Sequence, residues 1–187
     1  SDLRRQRQMC IRDRVDVEAA LAVSSDAFFY KLGEDLLVQN EGEPVFQEEV
    51  EAFGFGADTG IELPFEYDGT VPDQELKRLY AELGVISEDE GRGFYVGDSI
   101  QMSIGQGLLS ATPLQLNQGY SVLANGGLVI QPTVISTVFE PGTPDGRPGY
   151  ANIYGGTVHQ SSQAPVIQRN LDIDDDLLTP IITGLTL

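Results

Sequence analysis

Two glycines and a helix-start signal, set between residues 97 and 127, constrain this chain more than any other feature. The run reads Gly97-Asp98-Ser99-Ile100-Gln101-Met102-Ser103-Ile104-Gly105-Gln106-Gly107, then Thr112-Pro113-Leu114-Gln115-Leu116, and closes on Asn125-Gly126-Gly127. Gly105 and Gly107 bracket a turn whose backbone angles are open mainly to glycine. Thr112 is placed to cap a helix, Pro113 fits its first position, and Gln115 completes a capping box. Leu116, Gly119, Tyr120 and Leu123 share one face at helical spacing, and Gly126 supplies a left-handed stop. The pattern predicts a largely buried helix over 113–125, with Leu116, Tyr120 and Leu123 facing inward.

The rest of the chain reads as helices joined by turns. Residues 16–23 and 26–38 form two helical stretches split by Ser24-Ser25, and Phe28, Phe29, Leu32 and Leu36 give the second an apolar face. A short acidic helix is expected over 45–53, with Phe46, Val50 and Phe53 inward. Residues 54–72 hold four glycines and two prolines, which favours an ordered connector over a strand. A helix over 73–83 and a polar loop to Gly97 follow. Beyond the long helix, residues 129–139 read as one strand, and 141–149 as a surface loop of three prolines and three glycines. Residues 150–170 carry no clear pattern. A helix is expected over 171–187, opened by Asp174, Asp175 and Asp176, with Pro180 in or just past its first turn.

Length and charge bound the function. A chain of 187 residues suits one domain, and a formal net charge of −18 repels phosphate backbones, so no nucleic-acid partner is expected. No apolar run reaches membrane-spanning length, so no membrane contact is expected within the segment. Residues 1–14 stand apart: they hold five arginines against two aspartates, together with Cys10, the single cysteine. They read as a non-native, adaptor-derived segment, leaving 15–187 as the folding unit. Without Cys10 the chain has no thiol for disulfides or thiolate metal sites. Asp174 to Asp176 lack calcium-loop spacing and His159 has no metal-site partner, so no metal is expected.

Two further blocks join the glycine-turn run. One is Ala20-Leu21-Ala22-Val23-Ser24-Ser25-Asp26-Ala27-Phe28-Phe29-Tyr30-Lys31-Leu32-Gly33. The other comprises Phe53-Gly54-Phe55-Gly56, Thr59-Gly60-Ile61-Glu62-Leu63-Pro64 and Gly69-Thr70-Val71-Pro72. In order and wording, the three blocks resemble class B penicillin-binding proteins, the transpeptidases that cross-link peptidoglycan, in their penicillin-binding protein 2 branch. The resemblance implies an α/β serine-transpeptidase fold of the penicillin-binding protein/β-lactamase-like kind. Of that fold, residues 15–187 would supply part of a domain, mostly the helical lobe with few short strands.

The same resemblance implies a chemistry. In this superfamily an acyl-enzyme is built by Ser-x-x-Lys, Ser-x-Asn and Lys-Thr-Gly motifs. Ser24 and Asp26 match the middle motif in its Ser-x-Asp form. They are the expected catalytic residues: Ser24 relays a proton to the leaving amine, and Asp26 orients the lysine and the bound peptide. Taken without the family, both residues are ordinary helix-capping types, and Gln106 satisfies backbone groups in its turn. No serine is followed three residues later by a lysine, and neither Lys31 nor Lys77 opens a Lys-Thr-Gly. The expectation is therefore an internal piece, inactive alone, of a D,D-transpeptidase. Its implied partners are D-Ala-D-Ala stem peptides, β-lactams and a cell-wall polymerase, at the extracytoplasmic face of a bacterial membrane, with no cofactor. The alternative is a non-catalytic β-lactam-sensing or scaffold module of the same superfamily.

Overall fold

The computed structural model describes residues 15–139, 158–161 and 164–187. The segments read above as 1–14 and 141–149 lie outside the described residues, as do 150–157 and 162–163. Within the described residues, seven α-helices, one 3-10 turn and four short strands follow in order. They are α1 (Val17–Ala22), α2 (Asp26–Gln39), α3 (Val45–Ala52), α4 (Gln74–Glu82), a 3-10 turn (Glu90–Arg92), α5 (Val96–Met102), α6 (Pro113–Ala124), β1 (Leu128–Ile130), β2 (Thr137–Phe139), β3 (Val158–Ser161), β4 (Ile167–Asn170) and α7 (Asp175–Thr186). β1 pairs antiparallel with β4 and β2 with β3, as two separate ribbons. Mostly helical with few short strands, this is the helical-lobe architecture expected of the fragment.

Two helix pairs set the packing: α7 on α1 and α5 on α2. Both contacts are made through glycine. A Cβ on Gly184 of α7 would stand 2.6 Å from the Glu18 carbonyl oxygen, and one on Gly33 of α2 would stand 2.7 Å from the Ser99 carbonyl oxygen. Any larger residue would force the helices apart.

Helix α6 starts as its sequence requires. The Thr112 hydroxyl accepts from the Gln115 amide N–H at 3.1 Å, and the Gln115 side-chain oxygen accepts from the Thr112 N–H at 2.9 Å. Its orientation corrects the sequence reading. The buried stripe is Gln115, Gln118, Gly119 and Val122, whereas Leu116 and Tyr120 are exposed and Leu123 is half-buried. Apolar periodicity could not find this stripe, because half of it is amide. The apolar face instead lines an open groove of about 300 Å³ with Leu21, Phe53, Phe55, Ile181 and Leu185.

Amide side chains, the buried Gln115 and the exposed Gln168, hold the connector. Gln115 Nε2 donates to the carbonyls of Ala57 at 2.8 Å and Asp68 at 2.7 Å, and Gln168 Nε2 donates to that of Thr59 at 2.8 Å. The Glu66 carboxylate accepts from the Thr59 N–H, the Thr59 hydroxyl and the Gly60 N–H. Farther along, the Thr133 hydroxyl donates to Glu62 and holds that carboxyl below its usual range. This tie is present above the ordinary carboxylate pKa and is lost as pH falls through the lowered value.

Other departures from the sequence reading have local causes. The single strand expected over 129–139 is two strands, β1 and β2, separated at Pro132, which has no N–H to give a ladder. The polar loop expected before Gly97 contains the 3-10 turn, and α5 starts at Val96. Helix α7 begins at Asp175 and not at 171, because Asp172 takes a left-handed φ of 49° and Asp174, the N-cap, is extended with ψ 138°. Pro180 consequently lies past the first turn, inside the helix.

Replacing Gln115 by leucine leaves two connector carbonyls and the Thr112 N–H without partners. We expect a loss of about 2–4 kcal/mol in thermal or denaturant unfolding, against about 1 kcal/mol for Thr112→Ala. Equal losses would contradict the strapping role of Gln115.

Candidate functional site

The turn that carries Ser24 is built by two helix ends meeting head to tail. At the end of α1 the Ser24 N–H donates to the Leu21 carbonyl at 3.2 Å and the Ser25 N–H to the Ala20 carbonyl at 2.9 Å. This pair of bonds is a Schellman motif, and it puts its left-handed position on Ser24, with φ 51°. Glycine is the residue favoured there, and a serine carries a steric cost. Ser25 is the N-cap of α2 and makes no side-chain capping bond, and Asp26 is the first helical residue. Ser24 and Asp26 are both exposed. Neither side chain makes a hydrogen bond among the described residues, so the capping role open to each from sequence is not taken up by either.

Helix α2 is fixed from behind by α5. The Ser99 hydroxyl, on a residue only 1% exposed, donates to the Gly33 carbonyl at 2.7 Å. The Ser103 hydroxyl lies 2.8 Å from the carbonyls of both Phe29 and Ile100. Phe29 lies within one turn of Asp26, so the contact reaches the start of the helix. Sequence reasoning assigned no role to Ser99 and Ser103. Their four-residue spacing, beside Gly33 in a separate block, was the available signal.

Both lysines are committed away from Ser24. On the exposed face of α2 the Lys31 ammonium donates to Asp35 at 2.7 Å and to Glu34 at 3.0 Å. Asp35 first, then Glu34, hold its pKa above the ordinary lysine value, which keeps it protonated and so unavailable to accept a proton. Lys77 is buried and paired with Asp98 at 2.5 Å. The turn thus presents a hydroxyl and a carboxylate, with no free lysine beside them among the described residues. Such a pair can donate, accept and orient, and it lacks what would activate a nucleophile. Gln106 is exposed, in the turn bracketed by Gly105 and Gly107, whose φ values are 71° and 74°.

Residues 2–185 match the family model described as penicillin binding protein transpeptidase domain. The peptidoglycan D,D-transpeptidase MrdA of Escherichia coli K12 is 29% identical over 170 residues, covering 79% of this chain and 25% of the relative. Among solved structures, PBP2 of Pseudomonas aeruginosa, in complex with WCK 5153, superposes with a TM-score of 0.61 at 27% identity. It covers 91% of this chain and 31% of that one. PBP2 of Helicobacter pylori, in complex with MreC, gives a TM-score of 0.50 at 29% identity over 64% of this chain and 20% of that one. The chain therefore spans about a quarter of the length of the curated relative it matches.

Because Ser24 occupies a left-handed position, Ser24→Gly should raise unfolding stability by up to about 1 kcal/mol. Ser24→Ala, which keeps the strain, should leave it nearly unchanged. A destabilising Ser24→Gly would show that the hydroxyl is spent on structure.

Proposed function

This chain belongs to the family of penicillin-binding protein transpeptidase domains, and on that footing we propose that it forms the helical lobe of a peptidoglycan D,D-transpeptidase. In the reaction, an activated serine attacks the carbonyl between the two D-alanines of a stem peptide. The terminal D-alanine leaves, and the acyl group passes to the amine of a second stem peptide. The leaving nitrogen must gain a proton as its bond breaks. Ser24 supplies the relay for that proton, since one hydroxyl both donates and accepts. Asp26 orients the peptide amide and the lysine of a Ser-x-x-Lys motif, which this sequence lacks.

One observation carries this reading. A serine occupies a backbone position where glycine is favoured, and its hydroxyl is exposed and unspent. Strain of this kind is expected at sites where a side chain is held for chemistry. β-Lactams would enter by the same acylation, their ring amide taking the place of the scissile peptide bond.

The 187-residue chain by itself does not acylate on this reading, because none of its serines has a lysine to activate it. No described helix is long and apolar enough to cross a membrane. The proposed location, the extracytoplasmic face of the bacterial membrane, rests on the family relationship. So does a cell-wall polymerase partner; the complex of the Helicobacter pylori relative with MreC supports a protein partner in general.

The test exchanges residues 15–187 for the matching segment of Escherichia coli MrdA and follows fluorescent penicillin on a denaturing gel. The chimera should label, the bare chain should not, and Ser24→Ala in the chimera should slow labelling by about two orders of magnitude. Label on the bare chain would overturn the partial-domain reading. Unaltered labelling of the Ser24→Ala chimera would remove Ser24 from the mechanism.

A further inference from the structure

Lys77 is the most deeply buried charge among the described residues, and nothing in the proposed chemistry uses it. It lies on α4, its side chain 4% exposed, with Nζ 2.5 Å from Asp98 Oδ2 and 4.9 Å from the centre of the Tyr95 ring. A buried ammonium requires a partner, and removing one member of such a pair strands the other. Here both partners sit at the start of one helix. Tyr95 is the N-cap of α5 and Asp98 its third residue, and Asp98 Oδ2 also accepts from the Tyr95 N–H at 2.7 Å. A single carboxylate oxygen thus closes the first turn of α5 and anchors it to α4.

Helix α5 carries that anchorage onward. Ser99, next to Asp98, holds the Gly33 carbonyl, and Ser103 holds that of Phe29. The intervening backbone has no slack, because Gly33 meets the Ser99 carbonyl without room for a Cβ. We propose that Lys77 is a positioning residue: through Asp98 it sets α5, and through Ser99 and Ser103 α5 sets the start of α2 and the turn bearing Ser24. The strut runs from α4 through α5 to the carbonyl of Phe29. Its relevance to acyl transfer rests on the reading of Ser24 given above.

The test is amide hydrogen exchange on the full chain, read by mass spectrometry for peptides spanning residues 24–33, α6 and the β1/β4 pair. Lys77→Met should speed exchange in 24–33 by about ten-fold or more and leave α6 and β1/β4 near their original rates. Lys77→Arg, which keeps the charge, should restore most of the protection. Asp98→Asn, which keeps an acceptor for the Tyr95 N–H, should resemble Lys77→Met. Unchanged exchange in 24–33 for Lys77→Met, or equal acceleration of every segment, would overturn the proposal. If Lys77→Met does not fold, Lys77→Arg against Asp98→Asn decides: selective opening of 24–33 by Asp98→Asn alone supports the strut, and identical behaviour of the two overturns it. No acylation enters this readout. A failed strut therefore leaves the labelling test of Ser24 untouched, and a failed Ser24 test leaves the strut standing.

Discussion

The absence of a side chain at residue 33 is the condition on which the candidate site depends. Helices α2 and α5 approach so closely there that a single methyl group would overlap the Ser99 carbonyl and the Ser103 Cβ. That closeness brings two serine hydroxyls onto carbonyls of α2 that already serve their own helix. Each hydroxyl adds a bond across the interface, and at the buried Ser99 an unpaired polar group would be costly. The result is a helix pinned at two points, with the Ser24 turn at its free end. A hydroxyl that must shuttle a proton gains from such a frame, since a small displacement of a relay group is costly in rate.

On the far side of the molecule, amide side chains do what aliphatic ones usually do. Gln115, Gln118, Gln131 and Gln168 reach across α6, the connector and the β1/β4 ribbon to backbone carbonyls. Because the connector has little regular structure, its carbonyls need partners from side chains. Placing glutamines on the buried stripe of α6 turns that helix so that Leu116 and Tyr120 face an open groove. The apolar and the buried faces of α6 are therefore different faces.

What was legible in the sequence was local. The capping box at Thr112–Gln115, the left-handed turns at Gly105, Gly107 and Gly126, and the break between α1 and α2 all rest on interactions within a few residues, and all are present. The family, and with it the Ser-x-Asp motif, was legible because three blocks kept their order. The inward face of α6 was not, since the carbonyls that bury Gln115 lie 47 and 58 residues away in sequence. Nor was the role of Lys77, whose partner is 21 residues off and whose charge argues for the surface. The strand β4 escaped notice because its pairing with β1 is long-range and all four of its residues are exposed. Sequence did place a serine before a helix. That this serine sits in the left-handed position, with a neighbour as the N-cap, required the backbone.

Substituting alanine at Gly33 and recording the two-dimensional amide spectrum of the chain tests the central claim most directly. If the contact between α2 and α5 fixes the turn, the resonances of Ser24, Ser25 and Asp26 should shift together with those of Ser99 to Ser103, while Leu128 to Ile130 stay in place. Changes confined to the sequence neighbours of residue 33, with the Ser24 turn unmoved, would contradict it.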